Sequence, residues 1–237
     1  MSETRIDLSV IVLTSPGDLS WTKLVQDFSL FSNDSEMILV GSKPQSDLVE
    51  SSAKKSDASD RTFWLHAAEN RATQLNLALQ KCKNRWVWML NSDCRVSSQT
   101  LTALETSITK KPSAIHYFDL DLITDGPRIA RVNALGAWLR SRLLALPFGN
   151  QGICASRETL EKAGGFDPRL NENEDVQLIC QAKLNRIEIQ PVAYPLTTSS
   201  KKYSHQGWLV TTGQEIRESW SKTFPSYFKY LKNRWLG

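Results

Sequence analysis

Apolar positions along the chain change their spacing several times, and each change marks an element. Leu8–Leu13 is a run rich in β-branched residues, broken only by Ser9, which predicts a strand. Trp21, Leu24, Val25 and Phe28 then recur at the spacing of one helix face, and residues 37–40 return to strand character, so the chain opens as a β-α-β unit. Residues 42–61 are polar, rich in Ser, Lys and Asp, and without period, which predicts a surface loop before a short strand at 63–65. Ala72, Leu75, Ala78 and Leu79 give residues 69–81 a helical face, and this helix feeds an apolar strand at 86–90. A helix over 98–109, a strand over 114–122 and a short strand at 153–155 follow, with 132–146 alternately apolar and basic up to Pro147. Residues 157–163 form a helix that Gly164-Gly165 closes in the manner of a C-cap. The helix after Asn173 carries two acids in its first turn, where the helix dipole favours negative charge, and Asn171 or Asn173 is its expected cap. Strands alternating with helices imply a mostly parallel sheet covered on both faces, with ligands at the carboxyl ends of its strands.

At 237 residues, with no internal repeat or low-complexity block, the chain suits one core. The organisation expected is a domain over 1–212 followed by a basic, aromatic, helical tail over 213–237. Its longest apolar run falls far short of a membrane span. The stretch Met1-Ser2-Glu3-Thr4-Arg5 lacks the flank and cleavage site of a signal peptide, so a cytoplasmic location is expected. Cys82, Cys94, Cys154 and Cys180 form no C-x-x-C pair or zinc spacing and are read as reduced core thiols. The net charge of +4 suits anionic partners such as phosphate esters or acidic lipid headgroups. No nucleic-acid-binding motif is present, and nucleic acid is not an expected partner.

Residues 86–96 read WVWMLNSDCRV, an apolar strand that delivers Asn91-Ser92-Asp93 at its tip. Upstream stands Arg71-Ala72-Thr73-Gln74-Leu75-Asn76; downstream stand Gly149-Asn150-Gln151-Gly152, then Gly164-Gly165-Phe166 and Glu174-Asp175-Val176. This order resembles the GT-A fold glycosyltransferases of family two, above all a small bacterial subgroup with R-x-x-Q-x-N, H-A-D, G-D-Q-G, G-G-F and E-D-V. The resemblance implies a Rossmann-like three-layer sandwich, the nucleotide-diphospho-sugar transferase fold. It also implies an inverting, metal-dependent transfer of sugar from a nucleotide diphosphate sugar to a small or lipid-linked hydroxyl acceptor.

In such enzymes a strand-end acid holds the divalent cation, Mn2+ or Mg2+, that bridges the donor diphosphate, because a hard cation neutralises the charge of the departing group. By resemblance Asp93 is that acid, Asn91 a second, uncharged ligand, and His205 from the C-terminal region a further one. Asp175 is the implied general base, with Glu174 beside it in the catalytic pair. Arg71, Gln74, Asn76, Gln151, Lys201 and Lys202 are the implied donor-binding residues, Arg71 through its fixed donor fork.

Two positions depart from the family. Ser42 stands where a base-binding Asp is usual, and Leu13-Thr14-Ser15-Pro16-Gly17-Asp18 lacks the common P-x-x-N-E. With Asn91, these departures sustain a second reading, a weakened GT-A domain that binds nucleotide or sugar, or acts as a scaffold. A sugar nucleotidyltransferase would need a glycine-rich, cationic loop after the first strand, which this segment is not. The tail interleaves cations with aromatics over 220–235, a composition suited to an anionic membrane surface and to peripheral attachment at an inner membrane face. A helix packed on the domain is the alternative.

Overall fold

The computed structural model describes residues 6–42, 59–67, 70–122, 141–142, 146–170 and 173–199. The predicted tail, Lys201, Lys202, His205, and most of the 42–61 and 132–146 stretches lie outside the described residues. The elements are β1 (Leu8–Leu13), α1 (Trp21–Asp27), β2 (Glu36–Gly41), β3 (Thr62–His66), α2 (Arg71–Lys81), β4 (Trp86–Asn91), β5 (Cys94–Arg95) and α3 (Ser98–Lys110). They continue with β6 (Ile115–Tyr117), β7 (Leu120–Leu122), β8 (Cys154–Ser156), α4 (Arg157–Lys162), α5 (Glu174–Leu184), β9 (Ile189–Pro191) and β10 (Leu196–Thr198).

Among the described residues the strands form a seven-stranded sheet of order β3-β2-β1-β4-β8-β6-β9 and a three-stranded sheet of order β5-β10-β7. β3, β2, β1 and β4 run parallel, while β8 is antiparallel to both its neighbours. The large sheet is therefore mixed, though mostly parallel as expected. Val10 and Val12 of β1 face α1 and α3, packing with Trp21, Leu24, Phe28, Leu101 and Leu104. Ile11 faces the other way, with Ala72 and Leu75 of α2, Leu160 of α4 and Val176 and Ile179 of α5. Period-two alternation along a strand sends successive side chains to opposite faces, and here both faces need a helical cover. The result is three layers, helices on sheet on helices.

One expected strand is two. Residues 114–122 divide into β6 in the large sheet and β7 in the small one, because the Phe118 N–H donates to the Gln151 carbonyl at 2.8 Å and the chain turns out of the first sheet there. The two-residue β5 and the three-residue β9 and β10 carry no period of their own, and the pattern along the chain does not announce them. Gly164 and Gly165, at φ 92° and 64°, close α4 as the sequence suggests. Asn173 occupies the N-cap of α5, but its side chain makes no capping bond. All four cysteines are buried free thiols, with Cys82 pushed up to about 11 by burial. Among the described residues no helix is long and apolar enough to cross a membrane.

His116 of β6 is fully buried, with Nδ1 2.8 Å from Ser107 Oγ and Nε2 3.1 Å from the Lys111 carbonyl. Burial lowers its pKa from 6.5 to about 4, against the milder upward pull of the Lys111 carbonyl and of Glu188. Between those values the unfolded chain binds the proton and the folded one does not, so stability falls as pH falls through this window. Wild type should lose about 2 kcal/mol more than His116→Asn between pH 7 and pH 5, measured from urea unfolding curves. Equal pH slopes for the two proteins would contradict a buried neutral imidazole.

Candidate active site

The strand order reverses at β1, with β2 on one edge and β4 on the other. Chain segments leaving the carboxyl ends of β1 and β4 therefore diverge and leave a crevice, the place where doubly wound sheets bind ligands. Leu13 at the end of β1 pairs with Asn91 at the end of β4. A small cavity opens beside them, lined among others by Asn91, Gly149, Arg71, Glu174 and Asp175. Its volume of about 20 Å³ admits roughly one water.

Asp93 sits two residues past Asn91, in the turn that carries the chain from β4 in the large sheet to β5 in the small one. Both flanks of this turn are fixed. On one side β4 pairs with β1 along its whole length. On the other, buried Asp27 at the end of α1 accepts from Arg95 Nε at 2.7 Å, from Arg95 Nη2 at 2.5 Å and from the Val96 N–H at 3.0 Å. The bidentate contact raises the pKa of Arg95 and clamps β5 to α1. The strand end is thus a rigid platform for a carboxylate.

Asp175 reaches the crevice from the first turn of α5. Its Oδ2 accepts the Gly149 N–H and its Oδ1 accepts the Val176 N–H at 2.7 Å. Desolvation is the largest effect on this carboxyl and raises its pKa; the neighbouring Glu174 pushes the same way, while the two N–H donors and Arg71 oppose. Gly149 itself is part of a tight turn, Gly149–Gln151, that ends at Gly152 with φ 62°. A side chain on Gly152 would come within 2.8 Å of Leu196 and 3.1 Å of Trp88 Nε1, so both backbone angle and space demand glycine. Trp88 Nε1 donates to the Gly152 carbonyl at 3.1 Å. Core packing of Trp88 thereby sets the turn, and the turn sets Asp175.

The other residues singled out in the sequence lie around this pair. Glu174 is buried and accepts from Arg71 Nε at 2.8 Å, while the Arg71 side chain stays 51% exposed. Gln74 is buried and donates to the Ala67 carbonyl at 2.9 Å. Asn76 donates to the Phe166 carbonyl at 2.7 Å, tying α2 to the Gly-Gly-Phe segment. Gln151 is fully buried, and its amide donates to the Phe118 carbonyl at 3.0 Å and accepts from the Phe148 N–H at 3.2 Å. These three amides, expected to touch a donor, are engaged with backbone groups that hold loops in place. Ser42 follows β2 at the same pole of the sheet. Asn150, which stands in the Gly149-Asn150-Gln151-Gly152 motif without an expected role, has a buried Oδ1 with no hydrogen-bond partner among the described residues. A polar residue inside a tight turn next to the catalytic candidates was the available signal.

No protein-family model matches the chain, and no curated protein matches it by sequence. Solved structures do share its fold. Residues 1-349 of S. aureus TarS align at TM-score 0.60 and 17% identity, over 83% of this chain and 61% of that one. The same fragment in complex with UDP-GlcNAc gives TM-score 0.62 and 17% identity, over 82% and 59%. The mannosyltransferase PcManGT from Pyrobaculum calidifontis, in complex with GDP-Man and Mn2+, gives TM-score 0.63 and 18% identity, over 94% of this chain and 65% of that one. This chain spans less than two thirds of the length of each of them. The fold is accordingly the GT-A glycosyltransferase fold.

The Arg71–Glu174 contact joins the starts of α2 and α5, and solvent at Arg71 limits its worth. Arg71→Ala should cost about 1–2 kcal/mol in urea unfolding at pH 7, since it strands a buried carboxylate. Glu174→Gln should cost less, because the amide oxygen still accepts from Arg71. An Arg71→Ala variant as stable as wild type would show that the pair does not hold the two helices together.

Proposed function

We propose that the chain transfers a sugar from a nucleotide diphosphate donor to a hydroxyl acceptor with inversion at the anomeric carbon. The convergence of Asn91 and Asp175 on one crevice at the strand reversal carries this reading. The glycosyltransferases that share the fold bind UDP-GlcNAc, UDP, or GDP-Man with Mn2+, which supports a nucleotide-sugar donor.

Asp175 takes the acceptor proton as the acceptor oxygen attacks in line; the new C–O bond forms while the bond to the diphosphate breaks and its electron pair leaves with the phosphate oxygen. Desolvation makes this carboxylate a stronger base than a solvated one. Its acid limb should accordingly lie above the ordinary carboxylate range, with transfer lost as pH falls through it. Glu174, held by Arg71, keeps the start of α5 in register and sustains the charge beside the base. Gln74, Asn76 and Gln151 act through the backbone they hold, as positioning residues.

Among the described residues no group of three His, Cys, Asp or Glu is gathered. A hard cation such as Mg2+ or Mn2+ needs few protein ligands where a phosphate-bearing substrate supplies the rest. Asp93, with the Asn91 side-chain carbonyl as a neutral partner, would supply them. A cation held by these residues would supply charge neutralisation for the departing nucleoside diphosphate.

A second reading, nucleotide or sugar binding without turnover, is favoured by the uncharged Asn91 and by Ser42 beyond β2. Two measurements separate the readings. Calorimetry with UDP and GDP should show a manganese-dependent component that Asp93→Ala abolishes; unchanged binding would remove Asp93 from the site. Product formation, followed by mass spectrometry over donor and acceptor panels, should fall about 10²- to 10⁴-fold in Asp175→Asn, with nucleotide affinity nearly unchanged. Wild-type turnover by Asp175→Asn would refute its role as base, and a wild type that binds nucleotide but transfers nothing would establish the second reading.

A further inference from the structure

The opposite pole of the sheet carries a different chemistry. Arg85 immediately precedes β4, Lys110 ends α3 and Lys111 caps it before β6, Arg186 precedes β9, and Lys162 ends α4, which follows the reversed strand β8. All five line one concavity of about 370 Å³, roughly the length of a strand, ~20 Å, from the crevice at Asn91. Two carboxylates share the wall, and each already has a cation: Glu158 with Lys162 at 2.8 Å and Glu188 with Lys111 at 3.0 Å. Arg85, Lys110 and Arg186 form no direct ion pair among the described residues, although Arg85 lies near enough to Glu158 to help lower that carboxyl's pKa, after the larger effect of Lys162. The Arg85 guanidinium rests over the Trp86 ring, 5.7 Å from its centroid, which restricts its motion.

Arg186 adds an observation of another kind. It lies in the left-handed region at φ 58°, at the end of α5. Its N–H donates to the Lys183 carbonyl at 3.1 Å, and the Ile187 N–H donates to the Ala182 carbonyl at 2.8 Å. This is the helix-terminating arrangement in which glycine is preferred, because a Cβ is strained there. Arg186 thus places an exposed guanidinium on the wall of the hollow from a position where glycine would be the easier residue.

We propose that this hollow binds a phosphate-bearing anion, at a site separate from the transfer crevice. Cations from four segments of the chain converge there, and the forked donors of Arg85 and Arg186 match phosphate oxygens. An open, solvent-facing concavity admits a phosphate either free or presented as a lipid headgroup.

The test uses the full chain and inorganic pyrophosphate as the probe, in the presence of EDTA so that no divalent cation assists binding at Asp93. Wild type should bind, less tightly as ionic strength rises, and Asp93→Ala should bind equally. Arg186→Gly and Arg85→Gln should each weaken binding roughly tenfold, the loss of one charged hydrogen-bonding partner. Arg186→Gly should melt no lower than wild type, which separates loss of a ligand contact from loss of structure. In a second arm, co-sedimentation with phosphatidylglycerol vesicles that the same substitutions abolish would support the hollow and assign its phosphate to a headgroup. Absence of binding in both arms, or binding by the variants equal to wild type, overturns the proposal.

Discussion

Burial of β1 on both faces, with a parallel neighbour along each edge, is the constraint from which the rest follows. Val10, Ile11 and Val12 have no exposed surface. A strand with no solvent face needs a helix layer on each side, and the chain supplies α1 and α3 to one and α2, α4 and α5 to the other. With β2 on one edge and β4 on the other, the segments beyond β1 and β4 part company at their carboxyl ends. The crevice is therefore a consequence of how the strand is buried, and residues that sit at its mouth are those that end these strands or pack over them.

Placement of the two acids depends on the core through separate routes. Asp93 is held between the β1–β4 pairing and the Asp27–Arg95 clamp, so its turn is braced from both layers of strands. Asp175 depends on Trp88, whose indole N–H fixes the Gly152 carbonyl and with it the turn that offers the Gly149 N–H. Trp88 also stacks on Phe118 at 5.4 Å, just where the chain leaves the large sheet for the small one. One buried indole thus governs the sheet exchange, the glycine turn and the carboxylate.

Long apolar runs were legible in the sequence because their period is set by burial within the strand or helix itself. β1 matches its predicted bounds, and β2, β4, α2 and α3 differ by a residue or two at their ends. What could not be read was whatever exists only through a partner. β5 and β10 are short segments made into strands by each other and by β7, and the reversed direction of β8 leaves no mark on three residues, Cys-Ala-Ser. The same division holds at the site. Asp175 stood out as an acid in a helix's first turn; that Arg71 would pair with Glu174, and that Gln74, Asn76 and Gln151 would turn to backbone carbonyls, depends on contacts across 103, 7, 90 and 33 residues of chain.

Those committed amides bear on what the resemblance in sequence can mean. A Gln or Asn that holds a loop persists for structural reasons whether or not the domain turns over, so such positions do not separate an enzyme from a binding protein. Asp175 is different. An acid at the start of α5 is favoured by the helix dipole and by the N–H groups of the first turn, both of which hold a carboxyl pKa down. Instead desolvation outweighs both donors and raises its pKa, and Glu174 beside it adds repulsion. Such a placement has a cost, which the bonds from the Gly149 and Val176 N–H groups offset only in part while they tie the glycine turn to α5. On the proposed reading, in which Asp175 is the base, the same desolvation would serve the reaction, since a desolvated carboxylate is the more basic one.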